Sequence, residues 1–226
     1  HPAIANENYK DKLMTRNIQL VALTICILVA STSSPAVSAN VTGASPAAVD
    51  ASGAIAFLQA HDARVQAVLE RSGDSLSATA QQKVRVKIDE AFDFEELSRL
   101  SLGDHWGQRS EAERAEFVTV FSCIISEKNF NSFVDYYRDG DIVYDREEIQ
   151  PPRASVHATV PLEAETVGIT YRLLRHAQSW RVYDLVIDDV STADSNRRQY
   201  ARYIDKHSFE KLMSRLKKQL AKLESR

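Results

Sequence analysis

Near residue 140 the spacing of apolar residues changes from every third or fourth position to every second one. Ahead of "RDGD" (138–141) the pattern is helical. After it come four alternating segments, "IVYDREEI" (142–149), "RASVHATVPL" (153–162), "TVGITYRLLR" (166–175) and "WRVYDLVIDDV" (180–190). The connectors are "QPP", "EAE" and "HAQS". Connections this short join antiparallel neighbours, because a parallel pair needs a crossover of a dozen residues or more. The chain is therefore expected to be α+β, with an antiparallel sheet of about four strands between N-terminal and C-terminal helices.

The helical half divides at its turn residues. Ile55, Leu58, Val65, Val68 and Leu69 mark a helix from about Ala54 to Arg71, broken by "SGDS". Ser77 is placed to cap the next helix. Asp93 followed by Glu96 opens a short third helix, and Gly103 closes it. Ser110 with Glu113 forms a capping box for the longest pattern. There Phe117, Val120, Phe121, Ile124 and Ile125 make an apolar stripe, which Phe130, Phe133, Val134 and Tyr137 are expected to extend. After the strands, Ser191 or Thr192 starts another helix. The last one carries Phe209, Leu212, Met213, Leu216, Leu220 and Leu223 on one face.

Alternation assigns strand faces. Ala154, Val156, Ala158 and Val160 share one, as do Val167, Ile169, Tyr171 and Leu173. In the fourth strand Tyr183, Leu185 and Ile187 share a face, opposite Asp184 and Asp188, which are expected to stay wet. Phe117, Phe121 and Ile124 are expected to cover the apolar face from the long helix.

The N-terminus reads as a processing segment. Residues 1–13 precede the first methionine, Met14, and are set aside as upstream sequence. Arg16, the apolar run from Ile18 to Ala30 and the small residues Val37 and Ala39 make residues 14–39 a secretory signal peptide. Its run of about a dozen is shorter than the roughly 20 residues a membrane span needs. Residues 40–53 read as a flexible leader and 54–224 as the folded domain. Cys26 lies in the apolar run, so Cys123 is the one thiol outside it. That excludes an internal disulfide, and "FSCII" gives Cys123 the setting of a buried small hydrophobe. Net charge is -3, which speaks against a nucleic-acid partner.

Catalytic signatures are missing. The six histidines, at 1, 61, 105, 157, 176 and 207, have no metal-ligand spacing. Neither a G-x-S-x-G elbow nor a phosphate-binding glycine loop occurs. His157 reads as a hydrogen-bonded or solvated strand residue. Ser208 and Lys211 match S-x-x-K only as a helix cap. Asp184, Asp188 and Asp189 read as a wet sheet edge or as caps for the helix after Ser191. The basic residues of the last helix (Lys211, Arg215, Lys217, Lys218 and Lys222) permit contact with a membrane surface, although a soluble helix with an apolar inner face explains them as well.

Four segments in order carry a resemblance. "WRVYDLVIDDVS" (180–191) resembles the W-x-V-Y-D-V-x-I-x-G-V-S signature of the MlaC family, periplasmic lipid carriers also called toluene-tolerance proteins. "FDFEELSRLSLGDHW" (92–106), "AERAEFVTVF" (112–121) and "ITYRLLR" (169–175) resemble further family segments, and the likeness spans about residues 53–217. Asp189 stands where the family has glycine. "SNRRQY" (195–200) replaces N-Y-R-x-Q-F, and "SEKNFNSF" replaces a usual T-Y segment.

The resemblance implies helices and sheet wrapped around an apolar cavity that holds the acyl chains of a phospholipid, with its head group outside. It implies no cofactor, no metal and no catalysis. The partners it implies are the MCE-domain subunit of an inner-membrane ABC transporter and an outer-membrane lipoprotein complex. A hopanoid or other sterol-like cargo is a variant. On this reading the cavity is lined by Val156, Ala158, Val160, Ile169, Tyr171, Leu173, Tyr183, Leu185 and Ile187, with Phe117, Phe121 and Ile124 above them. Two alternatives stay open: a small-molecule enzyme of the cone-shaped α+β type, which needs His157 or Asp184 inside the cavity, and an interaction module with a solid core.

Overall fold

A computed structural model of the chain describes residues 53–73, 75–139, 142–161, 166–177 and 179–225. The signal-peptide reading and nearly all of the leader lie outside these residues. The elements are α1 (Ala54–Ser72), α2 (Ala78–Asp89), α3 (Phe94–Leu102), a 3-10 turn (Gly103–Gln108), α4 (Glu111–Asp139), β1 (Val143–Gln150), β2 (Arg153–Pro161), β3 (Thr166–His176), β4 (Ser179–Ile187), β5 (Val190–Ser191), α5 (Thr192–Lys206) and α6 (Phe209–Glu224). The α+β class expected from the period change is the one observed.

The expected caps start the helices. Ser77 Oγ accepts from Ala80 N at 3.2 Å, Asp93 Oδ1 from Glu96 N at 2.9 Å, and Ser208 Oγ from Lys211 N at 3.2 Å. Ser110 and Glu113 close a capping box, with Ser110 N 2.8 Å from Glu113 Oε2. Helix α1 is capped from another element: Glu147 Oε2 on β1 accepts from Ile55 N at 2.8 Å. This places a carboxylate where the helix dipole is positive. Gly103 ends α3 at φ +56° and ψ -129°, a backbone region that side chains disfavour. A Cβ there would also stand 2.8 Å from Arg197 Cδ.

The strands run in the order β1-β2-β3-β4-β5, all neighbours antiparallel. The fifth is the end of the segment read as one fourth strand. Asp188 and Asp189 turn the chain there with φ of +44° and +64°. Two consecutive positive values are what a two-residue type I′ hairpin requires. Asp188 is anchored, its N donating to Gly168 O at 3.0 Å while its Oδ1 accepts from Gly168 N at 3.2 Å.

Pairing confirms the assigned faces of β2 and β3, with Val156 opposite Tyr171, Ala158 opposite Ile169 and Val160 opposite Val167. Strand β4 departs from simple alternation. Leu173 faces Val182 while Arg172 faces Asp184, so Tyr183 is an extra residue in a bulge. Beyond it Leu185 faces Tyr171 and Ile187 faces Ile169. Leu185 and Ile187 thus join the expected face with Trp180 and Val182, but Tyr183 does not. Its ring lies beneath the Arg153 guanidinium, 4.9 Å away, on the other side of the sheet.

Three apolar clusters hold the fold. One joins α3, α4, α5 and α6 through residues such as Leu102, Tyr200, Phe209 and Leu216. A second seats α1 on the sheet through Ala54, Leu58, Ala154, Val156, Leu173, Trp180 and Val182. The third packs Val65 and Leu69 of α1 and Val84 and Ile88 of α2 against Phe130 and Val134 of α4.

Helix α4 therefore serves two cores. Phe117 and Phe121 stack at 5.3 Å, each edge-on to Tyr200, and Ile124 joins them; the expectation that these three cover the sheet is corrected. At 3.6 residues per turn the 117–124 set and the 130–137 set point about 140° apart around the helix, so they are two stripes and not one. Cys123 is exposed, against the expectation of burial.

Candidate functional site

The sheet face that meets α1 is fully buried at one end and only half-buried toward the other. At the buried end Leu173, Trp180 and Val182 are at most 2% exposed beneath Leu58 of α1 and Phe92. Toward the β2–β3 hairpin the same face carries Tyr171, Leu185, Ile169 and Ile187, all only half-buried. Tyr144 of β1 stands beside them, opposite Ala158. Apolar side chains that keep part of their surface on this face mark the candidate wall of a lipid recess. Val156, Ala158 and Val160 on the same face are buried.

Polar groups enter this recess from the helices. Tyr144 Oη donates to Asp62 Oδ2 of α1 at 2.5 Å. The hydroxyls of Tyr136 on α4 and Tyr171 on β3 are 3.4 Å apart. Behind them His61, 1% exposed, has Nε2 2.9 Å from Lys87 O and Nδ1 3.5 Å from Tyr137 Oη. A carbonyl only accepts, so Nε2 carries a proton. Burial pushes the phenols of Tyr136, Tyr137, Tyr144 and Tyr171 up, out of reach of ionisation at ordinary pH. Their side chains nonetheless keep accessible surface.

The other candidate residues lie elsewhere. His157 is on the opposite sheet face, with Nδ1 3.1 Å from Thr170 Oγ1. Asp184 is not wet: it is 2% exposed and accepts from Ser191 Oγ at 2.7 Å, Ala193 N at 2.9 Å and Arg172 at 3.1 Å. It ties β4 to the start of α5, the capping role among those read for it. On α6 the apolar face is occupied by the α4–α5 contact, and Lys217 Nζ donates to Glu116 at 2.5 Å. A groove of about 460 Å³ between α4 and α6 is lined by Glu113, Glu116, Phe209, Glu210, Met213 and Lys217 among others, and shares no residue with the recess. Among the described residues, no group of His, Cys, Asp and Glu is arranged to hold a metal, and no helix is long and apolar enough to cross a membrane.

Sequence reasoning passed over Asp62, Tyr136 and Tyr144. A signal for Asp62 existed. It lies four residues after Leu58 and three before Val65, on the buried stripe of α1, where a carboxylate is out of place unless partnered. The tyrosines carried no such mark, since an aromatic at helical or strand spacing reads as core.

The MlaC protein family matches residues 59–218. A comparison with curated proteins finds no significant match. Among solved structures, the fold is similar to that of a phospholipid-binding protein from Ralstonia solanacearum, determined in complex with a phospholipid. The TM-score is 0.62 at 19% identity, covering 74% of this chain and 94% of that one. The signature strand β4, the helices around the antiparallel sheet and the match over most of the chain lead to one assignment: the chain belongs to the MlaC family.

Proposed function

We propose that the protein binds a phospholipid by its acyl chains in the recess between the sheet, α1 and the C-terminal half of α4, and carries it through an aqueous compartment. Family membership carries this reading. The half-buried wall of Ile169, Tyr171, Leu185 and Ile187 supplies the physical means.

Two acyl chains hold roughly 30 methylenes, each gaining about 0.8 kcal/mol on leaving water. The sum, on the order of 20 kcal/mol, exceeds almost any affinity. A bilayer offers the lipid nearly the same gain, however, so exchange between membrane protein and carrier is near neutral and water is the barrier. Such a carrier needs no nucleophile. His157 and Asp184, the two groups an enzymatic reading required inside the cavity, lie outside the recess, which favours binding over catalysis.

The same reading puts the protein in the periplasm, exported by residues 14–39. It exchanges lipid with the MCE-domain subunit of an inner-membrane ABC transporter and with an outer-membrane lipoprotein complex. A vesicle assay tests the carrier activity. Protein added to donor vesicles holding a fluorescent phospholipid should speed its appearance in acceptor vesicles in proportion to protein concentration. A rate equal to that of vesicles alone would end the proposal.

A further inference from the structure

We infer that Asp62, Tyr136, Tyr144 and Tyr171 form a hydrogen-bonding station in the recess that receives a free hydroxyl of the bound lipid. The inference rests on the lipid-binding reading above and adds a chemical preference to it.

The proton count supports it. Tyr144 gives its proton to Asp62 Oδ2. Tyr136 and Tyr171 spend one of their two protons on each other. Tyr137, the next phenol, is shared between His61 Nδ1 and Asp62, while His61 Nε2–H is committed to Lys87 O and Nδ1, 3.9 Å from Asp62 Oδ1, is beyond hydrogen-bond reach of it. Four phenolic protons thus serve four phenol oxygens, the imidazole and a carboxylate that has about four acceptor sites of its own. The station is rich in acceptors, negative and short of donors.

A hydroxyl suits this balance. It donates to the spare acceptor sites of the carboxylate and the phenol oxygens, since the phenolic protons are already shared within the cluster. A phosphodiester without a hydroxyl brings only acceptors and a like charge. Burial keeps the phenols neutral, so they do not adapt by ionising. A site built around a hydroxyl discriminates against the analogue lacking it, because its own polar groups are then left unpaired.

The hydroxyl has two possible sources, the head group or the glycerol backbone, and matched lipids separate them. Delipidated full-length protein is titrated by displacement of a fluorescent phospholipid. Phosphatidylglycerol is compared with phosphatidylmethanol of equal chains and charge, and 1-acyl-lysophosphatidylmethanol with its 2-O-methyl ether. Wild type should prefer the hydroxyl lipid about tenfold in one pair, which names the source. Asp62→Asn and Tyr144→Phe should shrink that preference to about twofold or less while phosphatidylmethanol still binds. Tyr136→Phe serves if either variant does not fold. Equal binding within both pairs, or variants that keep the wild-type preference, would overturn the station and leave lipid binding intact. No binding of any of the four lipids would overturn the lipid-binding reading itself, and the station with it.

Discussion

The Asp184 carboxylate accepts the Ser191 hydroxyl at 2.7 Å, and Ser191 Oγ in turn accepts the Asp194 amide at 3.0 Å as the cap of α5. A strand residue and a helix cap thereby share one buried network with the Ala193 amide. Asp184→Ala leaves buried donors unpaired and should lower unfolding free energy by about 3 kcal/mol. Ser191→Ala, which removes a cap, should lower it by about 1–2 kcal/mol. Because both act on one network, the double variant should lose less than the sum. Urea denaturation of the three variants checks this, and strict additivity would show the two residues to be independent.

The Asp188–Asp189 turn holds two non-glycine residues at positive φ, and Asp189 stands where the family signature has glycine. Asp189→Gly should stabilise the protein by about 0.5–1 kcal/mol, since glycine takes this conformation without steric strain. Asp188→Gly should not, because it also removes the carboxylate that holds Gly168 N. Paired thermal melts would reveal the asymmetry; equal shifts would contradict it.

Asp89 on α2 accepts the Ser126 hydroxyl of α4 at 2.9 and 3.0 Å. Burial raises its pKa above the ordinary value, more than Ser126 and Arg85 lower it. A carboxyl with a higher pKa folded than unfolded holds its proton longer in the folded state. Its stabilising effect is present below the unfolded pKa, about 3.9, and is lost as pH rises through the folded value. Asp89→Asn keeps an acceptor for Ser126 and removes the charge. It should be more stable than wild type at neutral pH, with the difference shrinking as pH falls toward 4. A difference that grows on acidification would reverse the sign and refute the assignment.

Leu185 is half-buried, whereas Ala158 on the same sheet face is 2% exposed. On the proposed reading added bulk at Leu185 takes up the volume of the lipid, while bulk at Ala158 meets packed neighbours. Leu185→Trp should therefore reduce bound lipid severalfold and shift the melting temperature little. Ala158→Trp should lower both. Lipid quantified against protein, alongside a melt, separates the outcomes. A large loss of stability in Leu185→Trp would mark the wall as ordinary core.

Much of the fold was legible because local chemistry announces it. Ser77, Asp93, Ser110, Ser191 and Ser208 each cap the helix they were read to cap. The period change at residue 140 located the sheet, and alternation placed Val156, Ala158, Val160, Ile169, Tyr171 and Leu173 on one face. The bulge at Tyr183 was not legible, because an extra residue among apolar and aromatic neighbours leaves no mark in the alternation. The division of α4 between two cores was present in the angular spacing of Phe117 and Phe130, but both stripes are aromatic and read as one. The phenol station was hidden for a different reason. Its members come from α1, α4, β1 and β3, and nothing local tells Asp62 that Tyr144, 82 residues away, will meet it.

The claim on which the account turns is that the recess shelters lipid. Native mass spectrometry of protein purified from cells without detergent tests it most directly. The account predicts a species heavier than the chain by the mass of one lipid, released on activation and bearing acyl chains. Protein found only at its own mass, with nothing extractable into organic solvent, would contradict it.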